Sequence, residues 1–263
     1  MEVQEAIGTR RTYRYLLPHK RVELAKIQKM LEAARLASFW GNVQALKAVV
    51  VERASASQEV LTSLAAPVAG FQIDQAPIVI VWYLDFAALD VQDERLRELV
   101  QARVLGVDKQ KAMNALESFL IPFFKKVMPM LRQSGLTEMD CGQGIAQATL
   151  MAFEAGLGTC CQGSADWSVV EKAFGLPQSC RIVVAQTVGY PLENADGGGQ
   201  RPRLPFAQLF QLNAFDRPFP RSESVVDELT SDKLLQAPAP IPGREEQIEE
   251  LREKYDLPGS GMI

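Results

Sequence analysis

An α+β fold is what this sequence predicts, on three observations. Short, β-branched runs at Lys47–Val51, Ile78–Tyr83 and Ile182–Val188, each bounded by polar residues or by proline and glycine, read as buried strands. The helical stretches between them are unequal in length and follow no regular strand–helix alternation, which argues against a doubly wound sheet. A chain of 263 residues, 47% hydrophobic and 23% charged, has the size and balance of one globular domain with appendages.

In chain order, Val3–Ile7 reads as a small helical segment. Leu24, Ile27, Leu31, Ala34 and Leu36 recur near the helical period, so 22–37 is an amphipathic helix ended by Ser38–Gly41. Between the second and third strands, Phe86 to about Leu131 is helical, broken near Gly106 and Val107 and interrupted at Pro122 and Pro129; it is an inserted lid over 86–135. After Gly135, Asp140 is positioned to cap a helix running to Ala155. That helix is rich in small residues (Gly142, Gly144, Ala146, Ala148, Ala152), which let another backbone approach closely. From Asn194 the texture changes to Gly197–Gly199, many prolines between Pro202 and Pro242, and a short charged helix, Arg244–Lys254. The expected division is 1–210 as the folded domain and 211–263 as an extended tail, too poor in apolar residues to hold a core and so expected to wrap over its own or a neighbouring subunit.

Several function classes are set aside by composition. A net charge of −4 leaves no cationic excess for a phosphate backbone, so nucleic acid is not an expected partner. Met1–Lys20 has no apolar core of a signal peptide, and no run of about 18 apolar residues occurs, so no membrane partner is expected and the expected location is cytoplasmic. Cys141, Cys160, Cys161 and Cys180 form neither a disulfide framework nor a zinc spacing, and His19 is the only histidine, so no metal site is expected. Gly142-x-Gly144 and Gly156-x-Gly158 lack the third glycine and the preceding strand of a dinucleotide-binding loop, and there is no Walker loop.

Four segments carry positive signals. Arg10-Arg11-Thr12-Tyr13-Arg14 puts three cations and a hydroxyl in five residues, a phosphate grip if the segment alternates direction, or a solvated basic stretch. In Ser38-Phe39-Trp40-Gly41-Asn42-Val43-Gln44, the two amides offer paired donors and acceptors to a ring edge, or simply form a turn. Ala155 to Gly163 places glycines where a planar ligand can approach; the same residues also suit a helix C-cap at Gly156 feeding a strand. Gly189-Tyr190-Pro191 precedes Arg201-Pro202-Arg203, two arginines at alternate positions that an extended segment could point at one phosphate.

Taken in this order, these segments resemble the FMN-dependent nitroreductase family. Its members show Arg-Arg-Ser-x-Arg near the start, Pro-Ser-x-x-Asn-x-Gln after the second helix, Gly-Leu-Gly after the long central helix, and Gly-Tyr-Pro followed by Arg. The resemblance spans residues 2 to about 210. It implies a central, mostly antiparallel sheet flanked by helices, with a helical lid insertion and an extended C-terminal arm, in an intertwined homodimer. On it, Arg10, Thr12, Arg201 and Arg203, with Arg11 beside them, would hold the FMN phosphate, and Arg14 would face the N1/O2 edge of the ring. Ser38, Asn42 and Gln44 would contact the flavin partly across the dimer, and the backbone of Gln162 and Gly163 would lie near N5. The chain departs from the pattern at Thr12, where the family has serine, at Phe39-Trp40 in place of the Pro-Ser segment, and at Ala45-Leu46 in place of Pro-Trp.

The activity implied is hydride transfer from NAD(P)H to a small organic acceptor (a nitroaromatic, quinone or activated alkene) by a ping-pong sequence. No side-chain acid or base is nominated, since hydride chemistry on the flavin requires none. A specialised branch, such as a reductive dehalogenase or a flavin-consuming enzyme, and a non-catalytic flavin-binding or interaction protein are the alternatives. Lid residues Phe119, Phe123, Phe124, Met128 and Met130 could pack on a flat substrate or belong to a core. Cys160 and Cys161, adjacent in sequence, are read as small apolar residues and not as a redox pair.

Overall fold

The computed structural model describes residues 2–66, 70–163, 166–192 and 197–256. Its centre is one antiparallel sheet of β1 (Leu46–Glu52), β2 (Ile78–Asp85), β3 (Gly158–Gln162) and β4 (Cys180–Gly189), in the order β1-β2-β4-β3. Val49 pairs with Val81, Val81 with Ala185, and Cys160 with Thr187, so β3 is an edge strand.

β2 shows why this is a three-layer fold. Its side chains alternate across the sheet. Ile78, Ile80 and Trp82 join Ile27, Met30 and Ala34 of α2 (Leu24–Arg35) and Ala148 and Ala152 of α8 (Leu136–Glu154). Val79 and Val81 face the other way, to Leu64, Ile73 and Val170, behind the short helices α3 (Gln58–Ser63), α4 (Gly70–Gln75) and α9 (Trp167–Phe174). On α2 the buried face is Ile27, Met30 and Ala34. Leu24 and Leu36, which the spacing had placed with them, are 54% and 72% exposed, Leu24 being the first residue of the helix and Leu36 its C-cap.

The segment expected as a lid holds α5 (Gln92–Gln101), α6 (Lys109–Ala115) and α7 (Ile121–Leu131), with a wider turn at Leu116–Leu120, and it has its own small core of Leu96, Val100, Leu116 and Ile121. It breaks at 102–108, where Arg103 and Gly106 have φ of 60° and 80°. Pro122 sits in the first turn of α7, where its missing N–H costs little, but Pro129 lies inside α7 and does not end it.

α8 starts at Leu136, so Asp140 is not its cap. Asp140 lies a turn inside, buried, with a carboxylate oxygen accepting from the Trp40 N–H at 2.7 Å. The small residues of α8 divide between two faces. Gly144 lets the helix close on α2 and β1, since a Cβ there would lie 2.4 Å from Leu46 Cδ2, whereas Gly142, Gln143, Ala146 and Gln147 are exposed.

After α10 (Phe206–Leu209) the chain runs exposed through Phe210, Phe215 and Phe219 to α11 (Glu223–Ser231), then returns across α1 (Val3–Thr9) to α12 (Arg244–Tyr255). The tail therefore packs in part on its own chain: Lys233 pairs with Glu5 at 3.2 Å and Tyr255 stacks on His19 at 6.5 Å. Asn194, where the glycine-rich stretch was expected to begin, and the last residues of the tail, 257–263, lie outside the described residues. Among the described residues no helix is long and apolar enough to cross a membrane.

Candidate functional site

Residues 10–15 alternate strictly, with Arg10, Thr12 and Arg14 half-buried and Arg11, Tyr13 and Tyr15 buried. The segment is extended because it lies along the edge strand: Thr12 bridges Thr159 in parallel and Tyr13 N donates to Thr159 O at 3.1 Å. Gly158 makes that contact possible, since a Cβ there would stand 2.8 Å from Tyr13 Cβ. The close approach that glycine permits at 158 is thus by the chain's own Tyr13. Gly156, with φ of 76°, is the left-handed residue that ends α8. Gly163 has open space where a side chain would project.

Beside this segment is a pocket of about 360 Å3, lined by Ile7, Arg10, Thr12, Ala146, Thr149, Leu150, Thr159 and Cys161. A guanidinium and threonine hydroxyls meet an apolar wall there. Among the described residues Arg10 forms no ion pair, so its charge is not spent inside the protein. Thr149 and Thr159 had not been singled out in the sequence. Thr149 is held from behind: Trp82 Nε1 donates to Gln186 Oε1 at 2.9 Å, Gln186 Nε2 donates to Thr149 Oγ1 at 2.8 Å, and Thr149 donates to Ile145 O at 2.8 Å. This satisfied chain fixes the hydroxyl at the pocket wall.

Two further cations act electrostatically on the same strand. Burial pushes the Cys160 thiol up to about 11, and the positive charges of Arg14 and Arg201 oppose that shift. Burial also raises the Cys161 thiol, opposed by Arg10. Both thiols are therefore protonated at neutral pH and free of disulfide, and three guanidiniums from two chain segments lie within electrostatic reach of β3. Gln162 anchors the far end of the strand, its Nε2 donating to Gln72 Oε1 at 2.6 Å.

Arg11 and Arg203 are not brought into this group. Arg11 is 5% exposed and turned to the opposite side, where Nη1 donates to Gly8 O at 2.6 Å and Nη2 to Gln236 Oε1 at 2.7 Å. Arg203 is exposed, with Nη1 donating to Pro202 O at 3.1 Å, while Arg201 is half-buried. Residues 201–205 belong to no strand, and Pro202 and Pro205 lack the N–H that a sheet ladder uses, so no strand pairing aligns positions 201 and 203.

Ser38, Asn42 and Gln44 lie elsewhere. Gly41, Asn42 and Gln44 all have positive φ, near 55°, which folds the turn tightly enough for Gln44 Nε2 to donate to Asn42 Oδ1 at 3.3 Å. Asp140 holds this turn at Trp40 N, and the Trp40 ring meets Phe124 of the lid edge-on at 5.2 Å. Ser38 is exposed. Asp140 and Thr149 are both on α8, and their separation along the helix puts the turn roughly 13 Å from the pocket within one chain. On the lid, Phe119 and Phe123 stack at 6.1 Å and remain 67% and 46% exposed, while Phe124 packs inward.

Comparison with known proteins places the chain in a family. The nitroreductase family model matches residues 7–190, and the chain belongs to the nitroreductase family, a family of flavin-dependent oxidoreductases. Among solved structures, a nitroreductase-like protein from Streptococcus mutans superposes with a TM-score of 0.65 at 21% identity, covering 80% of this chain and 97% of that one. A candidate nitroreductase from Exiguobacterium sibiricum, in complex with FMN, gives 0.64 at 21% identity over 81% and 98%. A candidate NAD(P)H:FMN oxidoreductase from Staphylococcus epidermidis gives 0.65 at 16% identity over 80% and 95%. At these identities the likeness is one of fold. Comparison with curated proteins gives no match.

Proposed function

We propose that this chain is an FMN-dependent oxidoreductase that passes hydride from NAD(P)H to a small organic acceptor, a nitroaromatic, quinone or activated alkene, in a ping-pong sequence. The observation that carries this reading is a pocket of about 360 Å3 beside β3, lined by Arg10, Thr12, Thr149 and Thr159 against apolar residues, with the charges of Arg14 and Arg201 felt at the neighbouring Cys160. That volume is in the range of small-molecule sites, roughly 300–1,000 Å3. One guanidinium and three threonine hydroxyls beside an apolar wall formed by Ile7, Ala146 and Leu150 suit a ligand with a phosphate and a flat ring, which FMN is.

Arg10, Thr12 and Arg201 would hold the phosphate by charge-assisted hydrogen bonds. Arg14 would supply positive charge to the electron-rich ring edge, and the backbone at Gln162 and Gly163 would border the ring where Gly163 leaves open space. FMN, when bound, supplies a ring that accepts hydride from a nicotinamide and delivers it to an acceptor. The chain's own part is to bind, orient and exclude water.

The reading includes a homodimer. Its support is the exposed face of α8 at Met139, Gly142, Gln143, Ala146 and Gln147, and an apolar groove of about 910 Å3 between α1, α2 and α8 that shares Leu150 with the pocket. A second copy across that face would also explain why Ser38, Asn42 and Gln44 stand apart from the cations within one chain. FMN titration by fluorescence quenching, with NAD(P)H consumption followed on a nitroaromatic, a quinone and an enone, tests the proposal. One FMN per chain and acceptor-dependent NAD(P)H oxidation are expected; no FMN binding would refute it.

A further inference from the structure

Beyond residue 190, where the family match stops, the chain returns to the N-terminal segment and closes a polar network on it. Arg11, between Arg10 and Thr12, donates to Gln236 Oε1 at 2.7 Å, and Gln236 Nε2 donates to Lys233 O at 3.0 Å. Gln200, next to Arg201, braces the same turn: its Nε2 donates to Gly8 O at 3.0 Å and Leu234 O at 2.7 Å, and its Oε1 accepts from Gln236 N at 3.0 Å. Its backbone pairs on both sides as well, Gln200 N donating to Ala237 O at 3.1 Å and Ala239 N to Gln200 O at 2.8 Å. The fit against α1 is tight, since a Cβ on Gly8 would lie 2.0 Å from Lys233 O.

In this network the contacts from the tail to the rest of the chain fall on Gly8, Arg11 and Gln200, each adjacent to, or two positions from, Arg10 or Arg201. A buried guanidinium that ties an extended segment at once to α1, through Gly8 O, and to the returning chain, through Gln236 Oε1, fixes that segment's rotation, and alternation then fixes where Arg10, Thr12 and Arg14 point. We propose that the segment 232–239 is a strap that positions the site: Gln236, braced by Gln200, holds the 10–14 segment and Arg201 in the geometry that binds the FMN phosphate. This rests on the FMN reading above. Gln236 and Gln200 are positioning residues, since neither lines the pocket.

The test compares Gln236→Leu, which removes the acceptor that the tail offers Arg11, with Gln236→Glu, which keeps that acceptor and gives up only the donor to Lys233 O. FMN dissociation constants and amide hydrogen exchange of residues 9–15 in the FMN-free protein are measured for both variants and the parent. Gln236→Leu is expected to weaken FMN binding roughly tenfold, as for loss of one charged hydrogen bond, and to speed exchange in 9–15. Gln236→Glu is expected to match the parent in both. Parent-like binding and exchange in Gln236→Leu would overturn the strap, as would equal weakening in both variants. If the parent itself takes up no FMN, the functional reading fails, and the exchange data still decide the strap: faster exchange in Gln236→Leu supports it and unchanged exchange rejects it.

Discussion

At the scale of single residues, the charges beside the pocket are what a bound phosphate would meet. Arg10→Gln and Arg201→Gln are each expected to weaken FMN binding by roughly ten- to a hundredfold, the loss of a hydrogen bond to a charged group; isothermal titration checks this, and affinities within twofold of the parent would count against the assignment. Asp140 gives a pH-dependent prediction. Burial holds its carboxyl above the usual 3.8, against the opposing pull of the Trp40 N–H. A raised acid binds its proton more tightly in the fold, so it favours the fold at pH below that usual value, and the contribution is lost as pH rises through the folded-state pKa. Asp140→Asn, which keeps an oxygen for Trp40, is expected to melt at or above the parent's Tm at pH 7, with the gap closing as pH falls toward 3.8; thermal melts across pH read this directly. The shared side of Arg10, Thr12 and Arg14 was legible in the sequence because alternation in a five-residue segment needs no tertiary information, whereas Arg11 and Arg203, expected with them, face elsewhere. Thr149, Thr159 and Gln236 were not, since only the packing of α8, β3 and the returning tail brings them to the site. Asp140 was noticed for its residue type, and its role was hidden because its partner Trp40 is a hundred positions away in sequence.

At the scale of elements, the junction of the 10–14 segment with β3 carries the site. Gly158→Ala would press a methyl group against Tyr13, and overpacking of this kind costs about 1–3 kcal/mol. Chemical denaturation should show that loss, with weaker FMN binding beside it; an unchanged midpoint would mean that the segment is not clamped there. On the lid, Phe124→Ala removes the edge-on contact with Trp40, worth about 0.5–1.5 kcal/mol beyond buried area. Its expected signature is a changed KM for the acceptor with FMN affinity retained. β1, β2 and β4 could be read from their β-branched runs, and α2 from its period. Gly158-Thr159-Cys160-Cys161-Gln162 has no such run, so a glycine-lined approach and a strand were equally readable until its pairing with β4 and Thr12 decided for the strand. The short helices α3, α4 and α9 left no mark, because six to eight residues fold only when packed on a sheet.

At the scale of the whole molecule, the exposed face of α8 and the groove beside it predict that the protein sediments as two copies of a 29.1 kDa chain. Gly142→Arg places a long cation on that face, where a Cβ meets nothing within 4 Å in the single chain. It should leave the fold intact by circular dichroism and yield a monomer with little bound FMN. A dimer of unchanged FMN content would move the interface elsewhere. The general architecture followed from three strands of unequal spacing, whereas the return of the tail over α1 could not be read, because its anchors are single glutamines in a proline-rich stretch. The most direct test of the central claim is the visible absorption spectrum of the purified protein, recorded before and after anaerobic addition of NADPH or NADH. A flavin band that bleaches with the nicotinamide and returns when a nitroaromatic or quinone is added is the predicted result. A colourless protein that cannot be reconstituted with FMN would contradict it.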